Sequence, residues 1–185
     1  MSPASASTSS SSPASTPSYS SSSPATCAPP DQPATGVSED QALTAAVVAE
    51  HKAVYAYQVS ATRLTNPASS QAVDILSEHE ETLSQLSAML RSRCLPLPAL
   101  EPGYTLAPDF TMHPAAALSG LEDQLGLLYG DLIALSPAAN ESVPSSRAMA
   151  IAALLETAGN GQLWQQPIRV LPGMPDETTG TQTAP

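Results

Sequence analysis

The chain is short of the residues that most functional classes need. It has two cysteines, Cys27 and Cys94. Neither belongs to a C-x₂-C pair, so the sequence predicts neither a disulfide framework nor a zinc site. Six Lys and Arg stand against seventeen Asp and Glu, a net charge of -11. Without a basic stripe to release phosphate counterions, nucleic acid is excluded as a partner, and the acidity reads as a solubility feature. No run approaches the ~20 consecutive apolar residues of a membrane span.

Charge is also absent at the start: nothing before Asp31 is ionisable as an acid or base apart from the terminus, Tyr19 and Cys27. This stretch is almost entirely Ser, Pro, Ala and Thr, with too little apolar side chain to offset the entropy of ordering. Residues 1–36 are therefore expected to form a disordered tail. They lack the basic start and apolar core of a secretory signal. "SPATC", ending at Cys27, follows no apolar run and does not favour a lipoprotein. Residues 171–185, ending in "DETTGTQTAP", read as a second loose segment. One domain is expected between them, over 37–170, in a cytoplasmic protein.

Hydrophobic period assigns that domain to the all-α class. Over 39–63, Leu43, Ala46, Val47, Glu50, Val54, Tyr57 and Ala61 recur at helical spacing. Ser38 with Gln41 makes a capping box at the start. Asn66 as N-cap and Pro67 as first residue open a second helix, with Ala72, Ile75, Leu76, His79, Leu83, Leu86 and Leu90 on one face. A third opens at Pro114 and aligns Leu118, Leu121, Glu122, Leu125, Tyr129 and Leu132. A fourth, over 145–164, aligns Ala148, Ile151, Leu155 and Ala158. No stretch alternates usefully with period two.

Connection lengths suggest topology. The first two helices are joined by a few residues and should be antiparallel neighbours. "CLPLPALEPGYTLAPDFTMH" separates the second from the third. Extended, it reaches about 60 Å, more than the ~35 Å of a 23-residue helix. It can therefore run the length of the bundle and make the second and third helices parallel, the single crossover of ferritin-like folds. Pro96, Leu97, Pro98, Leu100, Tyr104 and Leu106 would lie extended along the bundle with side chains buried against it.

"AEHKAVYAY" at 49–57, the lone His79, "PALEPGYTLAP" at 98–108, "LEDQL" at 121–125 and "LPGMP" at 171–175 occur in that order. Together they resemble a ferritin-like domain-of-unknown-function family common in actinobacteria, over about residues 40–175. The resemblance implies a ferritin-like four-helix bundle with a long crossover between helices two and three, and no established activity. His79 is followed by Glu80 and Glu81, and Trp164 by Gln165, where the family has basic residues. No basic surface role is carried over.

Glu50, His79 and Glu122 each fall within about 40° of the centre of an apolar helical face. Three helices thus each point one ionisable group inward, and such groups must meet one another or a metal. Di-iron ferritin-like sites use one Glu from each of two helices and Glu-x-x-His from each of the other two. No Glu-x-x-His occurs here: Leu76 precedes His79 by three, and Glu156 lies off the expected stripe of the last helix. Glu50, His79 and Glu122 remain the candidate metal ligands, for one Fe, Mn or Zn ion with open water positions. The alternative is a metal-free hydrogen-bonded remnant that fixes helix register.

Other residues have plainer explanations. His51 falls at a boundary; Tyr55 and Tyr57 pack, with hydroxyls reaching polar partners. Glu78, Glu80 and Glu81 form a solvated face, and Met89 and Met112 fill gaps. Asn140–Ser142 matches a glycosylation sequon, without a sign of secretion. No Ser-His-Asp arrangement falls on ordered structure. The expected role is a binding or structural module with an unknown protein partner or as a homodimer. The alternative is a metal-binding protein or di-iron-type oxidoreductase.

Overall fold

The computed structural model describes residues 37–138, 145–165 and 171–174. The N-terminal stretch 1–36, the sequon at 140–142 and the last eleven residues lie outside the described residues. All regular structure among the described residues is helical: α1 (Glu39–Ala61), α2 (Ala68–Ser92), α3 (Asp109–Met112), α4 (Pro114–Leu135) and α5 (Ser146–Leu163).

The helix starts follow local chemistry. At α1 the expected capping box is present: Gln41 N–H donates to Ser38 Oγ at 3.2 Å, and Ser38 N–H donates to Gln41 Oε1 at 2.9 Å. Such a cap contributes about 1 kcal/mol. α2 begins one residue later than expected, with Pro67 as N-cap. Asn66 does not cap it, because its Oδ1 accepts the Ser70 hydroxyl at 3.0 Å instead. α4 opens at Pro114 and buries all six expected residues. α5 is capped by Ser145, whose Oγ accepts the Ala148 N–H at 3.1 Å.

The buried faces of α1 and α2 are close to those expected. Ala53, Ala56 and Ser60 take the place of Val54 and Ala61 in α1, and in α2 Thr82 is buried while Leu76 and Leu83 are only partly so. The face of α5 is different. Ala150, Ala153, Thr157 and Asn160 are buried, whereas Ile151 and Leu155 are 42% and 66% exposed. The cause is close packing on α4: a methyl added at Gly126 would touch Leu154 and Thr157 at 3.6 and 3.7 Å. At that separation small side chains fit and a leucine stripe does not.

Helix directions are set by a cluster at one end. Arg93, just past α2, donates to Asp40 at 2.9 Å, Glu39 at 2.8 Å and Ser146 at 3.1 Å. The Ser146 hydroxyl also bonds Glu39 and lies 3.1 Å from that of Ser136. The start of α1, the ends of α2 and α4 and the start of α5 therefore meet. α2 and α4 both run opposite to α1, hence parallel to each other, as the long connection implies. α1 packs on α2 and α4, and α4 on α5, while α2 and α5 barely touch.

The connection contains a short helix, α3, that periodicity does not reveal. Phe110 is buried, and Leu95 and Leu106 pack on the core. Tyr104 packs at a tilt against Tyr55, with ring centroids 5.9 Å apart. Leu97 and Leu100, expected to be buried, are exposed, as is Met112. These anchors hold the segment along the bundle, so Tyr104→Ala should cost on the order of 1–3 kcal/mol. Chemical denaturation measures it, and a change within error would mean a solvated loop.

Two further contacts involve sequence features that local patterning does not explain. Cys94 is disulfide-bonded; the other cysteine, Cys27, lies outside the described residues. The 171–174 turn lies on α4, with Gly173 at φ +80°. A Cβ at Gly130 would stand 2.2 Å from the Gly173 carbonyl oxygen. The glycine of "LPGMP" thus meets a glycine of α4 because neither position has room for a side chain.

Candidate functional site

The three inward-pointing residues do converge. Glu50, His79 and Glu122 are 0%, 4% and 1% exposed, and α1, α2 and α4 carry them to one level of the bundle. His79 lies between the carboxylates, with Nδ1 2.9 Å from Glu50 Oε2 and Nε2 3.1 Å from Glu122 Oε1. Burial disfavours an imidazolium here, but the hydrogen bonds to Glu122 and Glu50 outweigh it and push the His79 pKa up to about 10. A doubly protonated ring donates from both nitrogens, one to each carboxylate.

Two tyrosines complete the ring. The Tyr129 hydroxyl donates to Glu50 Oε1, and the Tyr57 hydroxyl to Glu122 Oε1. Trp164 Nε1–H donates to the Tyr57 oxygen at 2.9 Å. Burial and the neighbouring carboxylates raise both phenol pKa values, which keeps the hydroxyls protonated as donors. The arrangement is reciprocal. Glu50 and Tyr57 on α1, and Glu122 and Tyr129 on α4, have the same seven-residue separation. Because the two helices are antiparallel, each glutamate faces the other helix's tyrosine.

Hydropathy alone counts Tyr57 and Tyr129 as apolar and passes over Trp164. The repeated Glu-x₆-Tyr spacing was the signal that could have exposed them. His51 is partly buried and joins no part of the ring. Glu78, Glu80 and Glu81 are exposed, as expected.

A metal-bound imidazole needs a nitrogen lone pair facing the ion. Both His79 nitrogens face carboxylate oxygens, and both Glu50 oxygens are engaged. Only Glu122 Oε2 is buried without a partner among the ring's carboxylate oxygens. No group of three or more His, Cys, Asp or Glu among the described residues is placed to hold a metal ion. In this arrangement the residues do not fit one. The donors of His79, Tyr57 and Tyr129 are all turned toward the two glutamates.

Beside the ring lies a cavity of about 10 Å³, lined by Glu50, His79, Tyr129, Thr82, Thr157 and Asn160, among others. It has room for about one water. Glu78 and Glu156 also line it and face the wider space between α2 and α5. Burial, and then the nearby Glu78, raise the Glu156 pKa.

Comparisons with known proteins agree with the helical architecture. A family model described as a domain of unknown function, DUF4439, matches residues 42–176. The chain is similar in fold to the crystal structure of a conserved hypothetical protein, Rv2844, from Mycobacterium tuberculosis. The TM-score is 0.62 at 19% identity, over 71% of this chain and 98% of that one. None of the curated proteins matches this chain.

Proposed function

The chain belongs to the DUF4439 family, a domain of unknown function, and we propose that it is a ferritin-like bundle without enzymatic activity, acting as a binding or structural module. The observation that carries this reading is the engagement of both His79 nitrogens by carboxylates. The parallel α2 and α4, joined by a long crossover, support the ferritin-like assignment. The hydrogen-bonded ring of Glu50, His79 and Glu122 joins α1, α2 and α4 and supports a role in fixing their register.

The second reading is a metal-binding protein or di-iron-type oxidoreductase using Glu50, His79 and Glu122. In its favour stands the unpartnered buried oxygen of Glu122. An ion would have to displace at least one His79 contact to gain a nitrogen. Thermal melting of wild type and Glu50→Gln, with and without Fe²⁺, Mn²⁺ or Zn²⁺, separates the readings. The expected result is no saturable metal-induced shift in wild type and a modest loss of stability in Glu50→Gln. A saturable rise of several degrees that disappears in Glu50→Gln would establish the metal-binding reading instead.

The proposed bundle spans 37–170, with 171–185 as a C-terminal segment whose 171–174 turn packs on α4 through Gly173. No helix among the described residues is long and apolar enough to cross a membrane.

A further inference from the structure

Among the described residues, α2 and α5 are the two neighbouring helices that barely pack. Between α2 and α5 lie two adjoining cavities of about 590 and 560 Å³ that share Gln85 and Met149. Together they form one groove. Its α2 wall is Asp74, Glu78, Glu81, Gln85, Met89 and Ser92, whose spacings of three and four place them on one helical face. From Asp74 to Ser92 this wall is about 27 Å long, or about five helical turns.

The groove is polarised along its length. One half carries Asp74, Glu78 and Glu81 from α2 and Glu156 from α5. The other is lined by Ala88 and Met89 from α2 and Ala148 and Met149 from α5. Among the described residues, neither half is lined by a Lys or Arg. Methionines are adaptable gap-fillers at helix-binding surfaces, and an acidic wall attracts a cationic partner.

Resting on the binding-module reading, we propose that this groove takes one amphipathic helix of a partner protein. That helix is about five turns long, with Lys or Arg over Asp74, Glu78 and Glu81 and apolar side chains over Met89 and Met149. The mode is a helix laid into a groove between two others. The chain's own segments do not match this chemistry. The first thirty residues carry no acidic or basic side chain, 176–185 carry Asp176 and Glu177 but no basic residue, and 166–170, with Arg169 alone, is far shorter than five helical turns. A second copy brings a net charge of -11 and six basic residues, of which Arg93 and Arg147 are already bonded within the bundle.

The test uses the full chain and an amidated, fluorescein-labelled 18-residue helical peptide, with Lys in one half and Leu and Met in the other. Its counterpart has Glu in place of Lys. Anisotropy should show the Lys peptide binding at least tenfold more tightly than the Glu peptide. The double variant Asp74→Lys, Glu81→Lys should weaken that binding at least tenfold. Both positions are exposed, and the bond from Asn160 to Glu78 at 3.3 Å is left intact; circular dichroism confirms folding. The double variant Glu101→Lys, Asp131→Lys changes net charge equally but lies off the groove, and should alter binding less than twofold.

Equal weakening by the two double variants would overturn the proposal, as would equal binding of the Lys and Glu peptides. Spermine competing as well as the unlabelled Lys peptide would assign the groove to small cations. A dimer in sedimentation that the groove variant alone disrupts would assign it to a second copy. Metal-dependent melting would overturn the binding-module reading without changing the peptide results, so the two failures are distinguishable.

Discussion

Replacing His79 with leucine should lower the free energy of unfolding by about 3–5 kcal/mol, the usual cost of removing one partner from a buried charged group. His79 is the shared donor of Glu50 and Glu122, both essentially inaccessible to water. Its loss leaves two acidic side chains facing each other in an apolar interior, each with only a tyrosine as partner. Leucine fills much of the imidazole's space, so the effect reports lost charge compensation more than a cavity. The measurement is urea denaturation at pH 7. A loss below about 1 kcal/mol would match only a weak surface pair and would mean that the three side chains do not share a dry environment.

Stability should also fall as pH rises above neutrality. His79 has its folded-state pKa raised from 6.5 to about 10. A raised pKa contributes stability that is fully present below about 6.5 and is lost as pH climbs toward the folded value. Over that window the slope approaches about 1.4 kcal/mol per pH unit. Urea midpoints between pH 6 and 9 should decline in wild type and stay nearly level in His79→Leu; the upper limit avoids titration of unfolded tyrosines. A level wild-type profile would mean that His79 is neutral in the folded state.

Three of the four long helices were legible because their core positions are large and apolar at the right spacing, and because Ser38 with Gln41 and Pro114 mark clear starts. Glu50, His79 and Glu122 stood out for the same reason: an ionisable group on such a face has few explanations. The buried face of α5 was not legible. Close approach to α4 selects Ala150, Ala153 and Thr157 for size, whereas hydropathy selects Ile151 and Leu155. A polar partner for the Tyr57 hydroxyl was expected, but Tyr129 and Trp164 were hidden because their rings count as core while their polar atoms do the bonding. The disulfide at Cys94 left no local spacing to read. The α2–α5 groove depends on which helices fail to touch, which no single helix's pattern records.

The most direct test of the metal-free ring is the protonation state of His79, read from ¹⁵N chemical shifts of its imidazole at pH 7 in the full chain. The expected result is a doubly protonated ring, with both nitrogens bearing hydrogens toward Glu50 and Glu122, unchanged by added Zn²⁺, Mn²⁺ or Fe²⁺. A neutral ring with one bare nitrogen, or a resonance shifted or broadened by stoichiometric metal, would contradict it.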